Sequence, residues 1–210
     1  MRLPYRPLLR IALLTAGIVA GICAQAAARE DDASVDAIWV TQAVVFDYRS
    51  MGRTYPCEVL AYKIKMILER VGATESLELR RFVCHDLSPY ARFEIVMTSP
   101  AEATDANIAA VTRYDARDEL ISRLYGIELP SAADVARFPA VWAPVSFRKM
   151  HLDAGDCALL QQIRRQVLPK MSVAVTKDIR RGECDQPSGF GPPSLEVIAL
   201  LPANADVRRR

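Results

Sequence analysis

Four cysteines constrain this chain more than any other feature. Cys57 and Cys84 lie 27 positions apart, and so do Cys157 and Cys184. Adding one hundred to a residue number superimposes more than the cysteines: Val45 falls on Val145, Leu60 on Leu160, Leu68 on Leu168, and the pair Arg80, Arg81 on Arg180, Arg181. After a two-residue insertion in the second copy, Glu94, Pro100 and Ala101 match Glu196, Pro202 and Ala203. An ordered series of matches at one offset reads as an internal duplication. Among the three pairings open to four cysteines, the equal spacing selects bridges Cys57–Cys84 and Cys157–Cys184.

The two copies share their periodicities. "WVTQAVVFDY", from Trp39 to Tyr48, is strand-like, and "VWAPVSF", from Val141 to Phe147, opens the second copy in the same way. A helix follows in each. Leu60, Ile64, Ile67 and Val71 form one stripe that Gly72 stops; Leu160, Ile163, Val167 and Met171 form the other, with Pro169 ending the helix near Leu168. Asp156, just before Cys157, is expected to cap the second helix. "SLELRRFVC" and "VAVTKDIRRGEC" then read as strands, with Ile179 at the position of Leu79. "RFEIVMT" and "SLEVIALL" close the copies, the latter apolar enough to be covered on both faces.

The expected fold is α+β: two duplicated β-α-β-β units, residues 37–102 and 137–204, each stapled by one disulfide and packed as helices on an antiparallel sheet. Residues 103–136 between them form a helical connector, with Asp115 as N-cap, Leu120, Ile121 and Leu124 on one face, and Gly126 as stop. "SAAD" after Pro130 begins one further helical turn, "SGFGPP" is a polar hairpin loop, and residues 205–210 are a basic tail.

The N-terminal residues read as an address. Arg2, Arg6 and Arg10 precede the apolar run Ile11 to Ile22, followed by "AQAAA" and "REDD". This is the pattern of a secretory signal peptide over residues 1–28, with cleavage after Ala26 or Ala28. Ile22 immediately before Cys23 argues against lipid attachment there. Removing the three leader arginines takes the formal charge from +2 to −1, so the basic whole-chain balance gives no reason to expect a nucleic-acid partner. The leader's apolar run is shorter than the roughly 20 residues of a spanning helix, and no integral span is expected in the mature chain. An even cysteine count behind such a leader fits an oxidising compartment.

Few residues carry a chemical signal. His85 beside Asp86 reads as an exposed turn after a disulfide, since neighbours on an extended chain point apart. His151 with Asp153 and Asp156 lacks the glycine and terminal glutamate of a calcium loop. The cysteines have no C-x-x-C spacing suited to zinc. No catalytic residue, metal ligand or cofactor is assigned. The one repeated polar feature is Arg80, Arg81, Arg180 and Arg181. Strand alternation turns one of each pair to solvent, where a guanidinium fork suits carboxylates or phosphates. Trp39 and Trp142, at the strand starts, read as core packing.

The leader, "WVTQAVVFDY", the Cys57 helix and "LDAGDC…VLP" together resemble a family of exported, periplasmic bacterial proteins with paired-Cys duplicated units and no assigned activity. The resemblance spans the mature chain; it implies a Gram-negative periplasmic setting and carries over no catalytic residues. The resulting expectation is a non-enzymatic exported protein that binds or organises an envelope protein or polymer. A cell-wall-directed hydrolase and a structural subunit of an envelope complex are the alternatives.

Overall fold

Alternation along the first strand sets the architecture. In β1 (Val35–Arg49), Val44, Phe46 and Tyr48 are buried while Ala43, Val45 and Arg49 are exposed, so one side of the sheet is covered and the other faces water. The computed structural model describes residues 34–50, 53–150, 152, 154–179, 184 and 194–204. The expected leader, Cys23, His151, Asp153, Arg180, Arg181, the "SGFGPP" loop and the basic tail lie outside the described residues.

After β1 come α1 (Cys57–Arg70), β2 (Glu78–Cys84), β3 (Tyr90–Glu102), α2 (Asp105–Val111), α3 (Ala116–Tyr125), β4 (Phe138–Ser146), α4 (Cys157–Gln166), β5 (Val173–Lys177) and β6 (Glu196–Pro202). The strands make one six-stranded antiparallel sheet in the order β2-β3-β1-β4-β6-β5. The protein is therefore α+β, as its periodicities require. Leu60, Ile64, Ile67 and Leu68 of α1, together with Leu159, Leu160 and Ile163 of α4, join one continuous core. Phe46, Phe93, Ile95, Val145, Val197 and Leu201 meet them from the strands.

Both disulfides form as the spacing requires, Cys57–Cys84 and Cys157–Cys184. The first ties the N-terminus of α1 to the end of the outermost strand, β2. In the second half the strand is shorter than its sequence suggests. β5 stops at Lys177, seven residues before Cys184, where the Asp178 carboxylate accepts the N–H of Ile179. A short polar side chain that takes up a neighbouring backbone donor competes with the ladder.

The middle of the sheet is its thinnest join. β1 and β4 pair only over Val35–Ala37 and Phe138–Ala140. Beyond that point the free edge of β1 meets glutamine side chains of α4. Gln166 accepts the N–H of Asp47 and donates to its carbonyl, at 3.0 and 2.9 Å. Gln162 does the same for Arg49, at 2.7 and 2.8 Å. Two side-chain amides thus take the place of a neighbouring strand, so these backbone groups are satisfied where the sheet opens.

Three further sequence expectations need correction. Asp156 precedes α4, yet its side chain makes no capping bond. It turns inward, because Tyr55 and Lys63 offer it stronger partners. Trp39 is 40 % exposed on the uncovered side of the sheet, stacked on Phe138 with ring centroids 4.6 Å apart, rather than in the core. β6 is covered on both faces only near Leu200, which is buried with Ala37 and Ala140 under Val35, Phe138 and Trp142; Ile198 remains half-buried.

Candidate functional site

The uncovered face of the β2-β3-β1 half gathers its polar groups through register. Pairing of Asp47 with Arg92 and of Arg80 with Glu94 puts opposite charges directly across from each other. Arg92 grips Asp47 with both ends of its fork, Nε to Oδ1 at 2.7 Å and Nη2 to Oδ2 at 3.0 Å. The Tyr90 hydroxyl donates to the same Oδ1 at 2.7 Å. These bonds, that of Arg92 foremost and then that of Tyr90, lower the Asp47 carboxyl to about 2. Tyr90 is correspondingly harder to ionise, because its proton is held by Asp47.

Beside this triad, the Arg49 guanidinium lies over the Tyr90 ring, 6.0 Å from its centroid. Next along the face come exposed Val45 and Ala43, then Thr41, whose hydroxyl bonds that of Thr98 at 2.8 Å. The row continues to the exposed Trp39 on Phe138. Cationic groups, a phenol, aliphatic side chains and a stacked indole thus follow one another along β1 and its partner β3.

The adjacent arginines of β2 part company. Arg80 is on the uncovered face, bonded to Glu78 at 3.1 Å and to Glu94 at 3.4 Å. Arg81 is on the helix side, bonded to Glu58 of α1 at 2.5 Å. Arg180 and Arg181 lie outside the described residues. His85 is exposed in the turn after Cys84, and its neighbour Asp86 accepts the Cys57 N–H at 2.7 Å, capping α1 from outside the helix. Arg80, Arg81 and His85 are therefore not brought to one centre.

A second polar cluster sits inside. The fully buried Asp156 accepts from the Tyr55 hydroxyl at 2.5 Å through Oδ1, and from Lys63 Nζ at 2.5 Å through Oδ2. Tyr55 also donates to the Gly155 carbonyl and tilts against Tyr48. Burial, followed by the hydrogen bond to Asp156, pushes the Tyr55 phenol far above its ordinary range. Tyr48 is raised as well, chiefly by burial. Tyr55 and Lys63 come from the first half and Asp156 from the second, so the cluster stitches the halves together at the base of α4. Among the described residues, no group of three or more histidine, cysteine, aspartate or glutamate side chains could hold a metal ion.

Sequence reasoning did not find Asp47, Tyr90, Arg92 or Arg49. Strand alternation could have put Asp47 and Arg92 facing outward, but their juxtaposition depends on the β1–β3 register. Comparisons with protein-family models, curated proteins and solved structures found no match to this chain.

Proposed function

We propose that this chain is a non-enzymatic exported protein that binds or organises an envelope component through the uncovered face of its sheet. The carrying observation is the row along β1 and the adjoining end of β3, where Arg92, Tyr90 and Arg49 at one end and Trp39 on Phe138 at the other flank exposed Val45 and Ala43. Arginine forks keep their charge at any relevant pH and suit carboxylates and phosphates. Aromatic faces suit sugars and apolar groups.

The reading includes a cleaved leader, a periplasmic setting and a duplicated origin for the two halves. Two disulfides support an oxidising compartment. Among the described residues no helix is long and apolar enough to cross a membrane. The strand order supports the duplication: it runs β2-β3-β1 inward from one edge and β5-β6-β4 inward from the other.

The test is retention of the mature protein on immobilised envelope polymer and membrane-protein extract. Arg49→Gln with Arg92→Gln, and separately Arg80→Gln, should weaken retention, whereas Arg81→Gln, on the helix side of the sheet, should leave it unchanged. Added salt should mimic the loss. His85→Ala and His151→Ala should leave retention intact. If the histidine changes abolish function and the arginine changes are silent, the cell-wall hydrolase reading takes its place.

A further inference from the structure

β2 closes one edge of the sheet, and its register fixes which of its backbone groups are left over. The Thr98 carbonyl accepts the N–H of Thr74, so it faces the β2 side of β3. Val96 and Glu94 share that parity and stand opposite Glu78 and Arg80, whose backbone groups therefore bond β3. Leu79 and Arg81 turn theirs outward. Among the described residues no strand lies beyond them, because β2 is outermost. The ladder stays regular from Glu78 to Arg81 and shifts only between Arg81 and Val83. The stretch ahead of that shift is an open, regular edge. The other edge strand, β5, offers less, since its register already shifts between Val175 and Lys177.

We propose that this edge pairs with the same edge of a second copy, antiparallel, about a two-fold axis at Leu79. The side chains choose the register. Glu78 and Arg80 both point to the uncovered face, where they bond each other at 3.1 Å and remain 62 % and 61 % exposed. Residues directly opposite on paired strands share a face, and a two-fold axis through the sheet sets one residue of β2 against its own copy. With the axis at Glu78, two carboxylates oppose each other; at Arg80 or Arg81, two guanidiniums do. Of these positions only Leu79 avoids like charges, and there Glu78 stands across from Arg80 of the second copy, twice over. Each Arg80 then lies between Glu94 of its own sheet, at 3.4 Å, and Glu78 of the second copy.

Backbone bonding fits the same register. The Leu79 N–H donates to the Leu79 carbonyl of the second copy, and the Arg81 N–H to the Leu77 carbonyl, each twice. Charges on an edge strand ordinarily discourage such pairing. Here their alternating sign excludes the neighbouring registers and favours one. Two six-stranded sheets are thereby joined edge to edge, with both uncovered faces on the same side.

One strand against another buries far less than the roughly 800 Å² per partner of a standard interface, so association should be weak and reversible. Sedimentation of the mature protein from micromolar to millimolar concentration should show a monomer–dimer equilibrium. Glu78→Arg alone and Arg80→Glu alone should each weaken it about tenfold, since two like-charged pairs then face each other across the axis. Mixing the two variants should restore dimers made of one copy of each, because every cross-axis pair is again opposite in sign. Lost bonds within one chain cannot explain that rescue, as each variant keeps its own like-charged neighbours.

Cysteine cross-linking reads the register directly. Opposed Cα atoms of a hydrogen-bonded pair lie about 5.5 Å apart, within disulfide reach. Leu79→Cys should form a covalent dimer through residue 79 under mild oxidation, identified by peptide mapping. Glu78→Cys and Arg80→Cys should each stay uncrosslinked alone and cross-link when mixed. These pairs decide the register even where Arg80→Glu, set against Glu94, loosens β2 itself. A monomer at every concentration, a dimer indifferent to both charge reversals, or Glu78→Cys cross-linking to itself as readily as Leu79→Cys would each overturn the proposal. So would a chain that stays monomeric and binds an extended peptide along β2 instead.

Discussion

Lys63, only 14 % exposed, faces a carboxylate that is wholly buried. Removing one member of such a pair leaves a charge without its counter-charge in a poor solvent. Lys63→Met should destabilise the protein by about 3 kcal/mol, read by urea unfolding. Replacing both partners, Lys63→Met with Asp156→Leu, should recover part of that loss, limited by the Tyr55 hydroxyl left behind. The sequence could not point to this cluster. Asp156 sits where a helix cap belongs, and nothing in the chain order says that Tyr55, about a hundred residues earlier, would reach it first. Asp47 makes a pH prediction. Its folded-state carboxyl lies at about 2, below the ordinary 3.8, so its contribution is complete above pH 3.8 and fades as pH falls toward 2. Asp47→Asn should therefore lower stability at neutral pH, where the contribution is complete, and flatten the acid limb, so that the two proteins converge as pH falls toward 2. The effect should be small, because Arg92 is half-exposed and solvent screens the pair.

At the scale of elements, the glutamines of α4 act as a substitute strand. Changing Gln162 and Gln166 to alanine removes four bonds to the β1 edge. At about 1 kcal/mol net for a typical bond, with water replacing part of each, a loss of about 2 kcal/mol is expected for the pair. Hydrogen exchange should quicken selectively at the amides of Asp47 and Arg49, and a uniform change across β1 would contradict this role. Gly72 ends α1 at φ 103°, and a Cβ there would meet the Leu200 carbonyl at 3.0 Å and Leu201 Cδ2 at 3.1 Å. Gly72→Ala should cost about 1–3 kcal/mol and loosen the contact between the end of α1 and β6. The elements themselves were legible in the sequence where periodicity and punctuation agreed. α1 carries its stripe up to Gly72, and α3 has its cap at Asp115 and its stop at Gly126. β5 was overestimated because alternation continues through Asp178, whose side chain takes the backbone donor that a ladder would need. The α3 stripe was legible too, but a sequence pattern does not say whether an apolar face packs into the core, and this one stays exposed.

For the whole molecule, equal cysteine spacing was the most informative feature, because a covalent bridge fixes which helix end meets which strand end. Closing each loop by a bridge restricts the unfolded chain by roughly 3–4 kcal/mol. That is a sizeable share of a domain's total stability of about 5–15 kcal/mol. Cys57→Ala with Cys84→Ala should accordingly lower the unfolding midpoint sharply, and reduction of the intact protein should do the same. The uncovered face was less legible, since its Arg92–Asp47–Tyr90 triad exists only once β1 and β3 are in register. That face is the centre of the functional account, and photo-cross-linking in cells tests it most directly. A photoreactive phenylalanine analogue is placed at Val45, on the uncovered face, and in a separate chain at Tyr62, exposed on α1. The account predicts a discrete adduct with an envelope component from position 45, lost when Arg49 and Arg92 are changed to glutamine, and none from position 62. Adducts from position 62 alone, or from position 45 regardless of the arginines, would contradict it.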